Sequence, residues 1–266
     1  MTDDTRPLAE SHLTQIEPEE RIIVLARTLQ MQDSGTETAW KDGATGRIDL
    51  GETWLGQALY RHHSVFQSAS EAPVWSHLEL SYFRDIIPIG AIHDLVSKQQ
   101  SAEAHLLRAE ILLTTPSSFV MPRGWQGSAE RPERLASLEY INVRPAYLGD
   151  YRDIMRKYIG PAAAKLVGMD RIGTFRAMET TAVLYHAPSL DTDWNQIHLC
   201  EVDADGFKGF GQEFDAALRE ISPDGGFAGV FADLNRLRTI PRWTLNEAVV
   251  EADTAIKQLG SARLAP

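Results

Sequence analysis

Apolar residues recur along this chain in two periods, every second residue and every third or fourth, and the switches between them predict its elements. Residues 138–144 (LEYINVR) are β-prone and stop at Pro145, which predicts a strand. Residues 148–167 then set Tyr151, Ile154, Met155, Tyr158 and Ile159 at helical spacing, with Pro161 ending or kinking the helix. The runs 174–186 (TFRAMETTAVLYH) and 194–202 (WNQIHLCEV) flank Ala187-Pro188 and read as a hairpin. Phe210, Phe214, Ala217, Leu218 and Ile221 mark a second helix, which Pro223 and Gly225-Gly226 terminate. Residues 238–245 (RTIPRWTL) supply a last strand, placed at a sheet edge because Pro241 has no N–H to give. The order is β-α-β-β-α-β.

A matching order runs through the first half: strands at 21–30, 53–66 and 74–83, a helix at 89–110 and a strand at 111–120. Residues 18–31 also carry a helical stripe (Ile22, Leu25, Ala26, Leu29), so a helix is the alternative there. The place of the first helix, 32–51, is Gly- and Asp-rich with little helical period. Short likenesses keep the same order in both halves: Leu59-Tyr60-Arg61-His62 with Leu184-Tyr185-His186, Trp75 and His77 with Trp194 and His198, and Thr114-Thr115-Pro116 with Thr239-Ile240-Pro241. Such a shared order is the signature of tandem duplication. The expected organisation is an N-terminal tail (1–20), a first unit (21–121), a Pro/Gly/Arg-rich linker (122–136), a second unit (137–247) and a C-terminal tail (248–266).

Composition narrows the partners. The 266 residues, 43% apolar and 24% charged, suit one large or two ordinary globular domains. With 37 acidic against 26 basic residues the formal charge is −11, which repels nucleic acid and anionic lipid, so neither is expected as a partner. The single cysteine, Cys200, closes no intramolecular disulfide and founds no thiolate metal cluster. Residues 1–20 show no secretory pattern and no apolar run reaches the roughly 18–20 residues of a membrane span, so a cytoplasmic location is expected, with a homodimer left open.

The segment LEYINVRPAYLGDYRDIMRKYIGP, followed by the hairpin through WNQIHLCEV, resembles the NIPSNAP-like and related stress-responsive members of the dimeric α/β-barrel superfamily. The resemblance covers the second half and implies an α+β fold. Two ferredoxin-like β-α-β-β-α-β units would pack their antiparallel sheets into a pseudo-dimeric α/β barrel, with helices outside and a pocket between the sheets. The superfamily includes cofactor-free monooxygenases, polyketide cyclases, isomerases and haem proteins such as chlorite dismutase-like enzymes, so the fold does not choose the chemistry.

Within such a barrel, strand parity assigns side chains to faces. If the helices take Ile197 and Leu199, then Trp194, Gln196 and His198 point into the cavity. By the same logic Leu78 and Leu80 face helices while Trp75, His77 and Glu79 point inward. Arg176, Met178 and His186 share an inward face on another strand, and Trp54, Tyr60 and His62 form the matching set of the first half. Histidine exchanges protons near neutrality. The expected function is therefore a cofactor-independent enzyme with no bound cofactor, acting by His acid/base chemistry on a hydrophobic, aromatic or polyketide-like small molecule. His198 would be the general acid/base and His77 a second proton carrier. Arg176 and Gln196 would polarise an oxygen, with Trp75 and Trp194 as walls. The alternatives are a haem enzyme with an axial ligand among His93, His105, His186 and His198, and a non-catalytic small-molecule-binding protein. Adjacent His62 and His63 point to opposite faces of a strand and do not make a metal site. A phosphate loop, a G-x-S-x-G elbow and an H-E-x-x-H helix are absent, and residues 224–229 read as a turn.

Overall fold

Two apolar sets on every strand, one for each face, require a sheet covered on both sides, and the chain meets that requirement by curling its sheet on itself. The computed structural model describes residues 13–15, 21–32, 34–44, 53–69, 75–85, 90, 92, 104–122, 134–203, 209–223 and 225–251. The strands are β1 (Leu13–Gln15), β2 (Ile23–Met31), β3 (Trp54–Ser68), β4 (His77–Phe83), β5 (Ala104–Pro122), β6 (Arg134–Val143), β7 (Phe175–His186), β8 (Gln196–Asp203) and β9 (Arg238–Glu251). The helices are α1 (Ser34–Ala44), α2 (Leu148–Ile154), α3 (Gly160–Gly168), α4 (Phe210–Ile221) and α5 (Gly226–Leu237), with a π-turn, Met155–Ile159, joining α2 to α3.

One antiparallel sheet carries all nine strands in the order β1-β5-β2-β4-β3-β9-β6-β8-β7. A further β5–β7 pairing closes the run from β5 to β7 into a barrel, and β1 rides on the far end of β5. The α+β class is thus as expected, as a single closed sheet flanked by helices. Strand order from β5 to β3 and from β9 to β7 corresponds, but the helical layer does not repeat among the described residues: α1 lies in the first half and α2 to α5 in the second. A duplicated pair of units is therefore not established by the architecture.

Several local expectations change. The strand expected at 21–30 forms, as β2 (Ile23–Met31), rather than the alternative helix, and a helix, α1, does occupy the Gly/Asp-rich place after it. The helix expected at 89–110 gives way from Ala104 onward to β5; residues 93–103 lie outside the described residues. Arg108 and Glu110 are both buried and hydrogen-bonded to each other at 3.1 Å, so polar residues occupy inward positions of that strand. Gly225-Gly226 ends α4 as predicted but also starts α5: Gly226 takes φ +51° and the next N–H, of Phe227, donates to Asp215 Oδ1 at 2.7 Å. The stretch read as a turn thus becomes a helix. Pro241 sits in an interior strand, not at an edge. Tyr140 pairs with Arg242 and Asn142 with Thr239, so β9 spends one residue more than β6 there, and the bulge absorbs the missing N–H. β6 and β9 also run into the stretches read as linker and tail.

The core has two main compartments. Inside the barrel lie Leu78, Leu80, Tyr82, Leu138, Ile197 and Leu199 with Trp75, Trp194 and Tyr140. Between the outer face of the second half and its helices lie Ile141, Tyr151, Met155, Leu166, Ala177, Val202, Phe214 and Leu234.

Candidate functional site

Cross-strand register decides which side chains share a chamber. In the β7–β8 hairpin Arg176 pairs with Leu199, Met178 with Ile197 and Ala177 with His198. Arg176 faces the barrel interior as expected, which puts Ile197 and Leu199 inside with it and His198 outside with Ala177. In β3–β4, Tyr60 pairs with Leu78 and Leu59 with Glu79, so Tyr60 and Leu78 are inside while His77 and Glu79 are outside. The expectation that His198, Gln196, His77 and Glu79 point into the barrel is therefore corrected. Both faces of the sheet are buried, and the apolar leucines and isoleucine fill the interior.

That interior is packed with side chains. The Arg176 guanidinium donates to the Tyr60 and Tyr82 hydroxyls at 3.1 Å each and to Glu201 at 3.0 Å, all fully buried. Trp194 Nε1 donates to Glu110 at 2.7 Å, and Arg108 lies 4.3 Å above the Trp194 ring. Trp75 donates to the Tyr140 hydroxyl at 3.1 Å, stands 5.2 Å from Trp194 and carries Arg242 at 4.7 Å over its ring. Trp75, Trp194, Tyr60 and Arg176 do meet inside, as members of a packed cluster instead of the walls of a cavity.

The remaining candidates are dispersed. His77 binds Glu37 of α1 at 3.0 Å through Nε2, and Glu79 accepts from Arg27, from Trp40 at 3.0 Å and from Gln57 at 3.1 Å. His77, His62 and Trp75 border an open depression of ≈ 340 Å³ beside α1. His62 is half-buried, and burial, then the charge of Arg242, lowers its pKa. His186 sits at the exposed end of β7, bonded to the Leu190 carbonyl at 2.9 Å. Gln196 lies across from Glu179 on the outer face. His105 is exposed on β5, and His93 lies outside the described residues.

His198 occupies a different and more suggestive place. It borders a cavity of ≈ 170 Å³ between the outer face of β6, β7, β8 and β9 and the helical layer. Phe175, Phe210, Phe214, Phe227 and Phe231 line it, with Met155, Ile159, Ile172, Val202 and Leu234. The π-turn places Met155 and Ile159 in this wall; Ser118 of β5 donates to the Met155 carbonyl at 3.1 Å and holds it there. One part of the wall is polar: Ser137, Glu139, His198, Cys200, Arg238 and Trp243.

The hydrogen bonds of that polar part assign its protons. Arg238 Nη1 donates to the Tyr151 hydroxyl at 3.3 Å, and the hydroxyl lies 3.2 Å from His198 Nε2. Since the guanidinium only donates, the Tyr151 proton goes to Nε2, and His198 carries its own proton on Nδ1. Burial, then the nearby Arg238 charge, drives the His198 pKa well down, so the ring is neutral at physiological pH. Burial raises Glu139, opposed by Arg238, and lifts Tyr151 to about 12. Burial also pushes the Cys200 thiol up, away from the thiolate form. Glu139, Tyr151, Arg238 and the paired phenylalanines were not singled out from sequence. A signal existed in Phe227 and Phe231, four residues apart, the first inside the stretch taken for a turn and the second just beyond it.

No family model and no curated protein sequence matches the chain. Solved structures do. An anthrone oxidase-like protein aligns over 91% of this chain and 96% of its own, with 10% identity and a TM-score of 0.53. A chlorite dismutase from Candidatus Nitrospira defluvii, in complex with imidazole, aligns over 91% and 94%, with 11% identity and a TM-score of 0.42. At such identities the likeness is one of fold, shared with the anthrone oxidase-like protein, with no support for a NIPSNAP identity. The filled barrel interior, with His198 and His77 on the outer face of the sheet, overturns the expected cofactor-independent enzyme and its His acid/base chemistry in the barrel, and the expected lack of a cofactor is withdrawn with it.

A haem, however, does not fit the described residues of the cavity beside His198. A drug-sized ligand already occupies about 300 Å³ or more, against ≈ 170 Å³ in the cavity beside His198. His198 is the one histidine among the described residues of that wall, and its Nε2 is engaged by Tyr151. Among the described residues no group of three His, Cys, Asp or Glu could hold a metal ion, and no helix is long and apolar enough to cross a membrane.

Proposed function

We propose that the chain is a small-molecule-binding protein whose site is the phenylalanine-lined cavity between sheet and helices in the second half, with His198 in its polar wall. The observation that carries this reading is the cavity itself, apolar over most of its lining and of the bulk that suits one aromatic ring; an apolar cavity of about 150 Å³ accepts benzene. Calorimetric titration with toluene tests it. Saturable one-site binding is expected, and Ala163→Leu, which grows into the cavity from α3, should abolish it while the melting temperature holds. Absence of saturable binding to the unsubstituted chain would overturn the reading. We further read residues 21–121 and 137–247 as two ferredoxin-like units of common descent, a reading supported by their corresponding strand orders.

A further inference from the structure

The polar wall of the cavity leaves one carboxylate oxygen short of its neighbours. Glu139 Oε2 stands 3.9 Å from His198 Nδ1 and 3.8 Å from Arg238 Nη1. Both distances exceed a hydrogen bond, and polar atoms held apart by such a gap are the usual places for one bridging oxygen. The donor at Nδ1 is fixed, because Tyr151 occupies Nε2 and is itself held by Arg238. A bridging group here must accept from Nδ1–H and from the guanidinium and must donate to the carboxylate. It must also belong to a body that fits among phenylalanines. A hydroxyl meets both polar requirements. A carboxylate ligand cannot donate and would meet the Glu139 charge, and a hydrocarbon leaves the gap unfilled.

We propose that the ligand is a small phenol, whose ring lies in the phenylalanine cage and whose hydroxyl bridges Glu139, His198 and Arg238. This rests on the binding reading above and narrows it from an apolar molecule to a chemical class.

Three probes that share a tolyl ring separate the two: p-cresol, toluene and 4-methylbenzoate, titrated calorimetrically into the full chain. The expected result is that p-cresol binds at least tenfold more tightly than toluene, and that 4-methylbenzoate binds worst. Glu139→Gln keeps the shape of the side chain and removes its charge, and should cut the cresol preference to a few-fold at most. Tyr151→Phe frees His198 to turn its ring and should lower cresol affinity while leaving toluene affinity unchanged, a split that a merely destabilised cavity would not produce. Equal affinities for toluene and p-cresol would overturn the phenol proposal and leave the binding reading standing. Tightest binding of 4-methylbenzoate would overturn it in favour of a carboxylate read by Arg238. Failure of all three probes would overturn both.

Discussion

At the scale of single residues, two buried groups have measurable consequences. His198 is held neutral in the folded chain, whereas the unfolded chain takes up a proton near pH 6.5. Stability from this residue is therefore complete above pH 6.5 and falls as the pH drops below it, by up to about 1.4 kcal/mol per pH unit. Glu139, with its pKa raised, runs the other way: its contribution is largest below its ordinary pKa and is lost as pH rises through the raised one. Urea denaturation at pH 7.5, 6.5 and 5.5 should show the fall for the unsubstituted chain and a shallower slope for His198→Gln. An unchanged slope would mean that the ring is protonated inside. The second group is the Arg176–Glu201 pair within the barrel. Glu201→Gln leaves the Arg176 cation without its carboxylate, for which a loss of about 3–5 kcal/mol is expected by denaturant titration. Replacing both by leucine-sized apolar residues should recover much of that loss.

Elements show how far the sequence could be read. Most of the second half was legible because the helices at 148–168 and 210–221 carry three- and four-residue spacings and its strands are bounded by proline or aspartate, whereas α5 hid behind its glycines and was read as a turn. In the first half, the charges of Arg108 and Glu110 pair inside the barrel and disguise β5 as the end of a helix. The candidate site was legible only by residue type. Arg176 and His198 cannot both face inward once Ala177 pairs with His198, but hairpin register is a tertiary fact that strand parity leaves free. One element makes a sharp stability prediction. Gly160 begins α3 directly under Ser117 of β5, and an added Cβ would lie 2.1 Å from the Ser117 carbonyl oxygen. Gly160→Ala should destabilise by more than about 1 kcal/mol. Gly149, in α2, has open space around it, so Gly149→Ala should gain up to about 1 kcal/mol. Thermal melts of the two variants should move in opposite directions.

At the scale of the whole molecule, the halves meet along two seams, β3–β9 and β5–β7, and pool their aromatic residues in one interior. Trp75 comes from one half and Trp194 from the other. Tryptophan fluorescence and far-ultraviolet circular dichroism should therefore report a single coincident unfolding transition. Two separated transitions would show that the halves unfold independently. The bulge in β9 bears on this shared construction. Before it, Arg238 belongs to the helical cavity; after it, Arg242 lies over Trp75 inside the barrel. The extra residue acts as a railway point, sending successive side chains of one strand to different compartments. Deleting Ile240 would reset the points, so that either the cation of the cavity or that of the barrel arrives in the wrong room. Insertions and deletions should thus be tolerated far less at this position than substitutions of Ile240 itself.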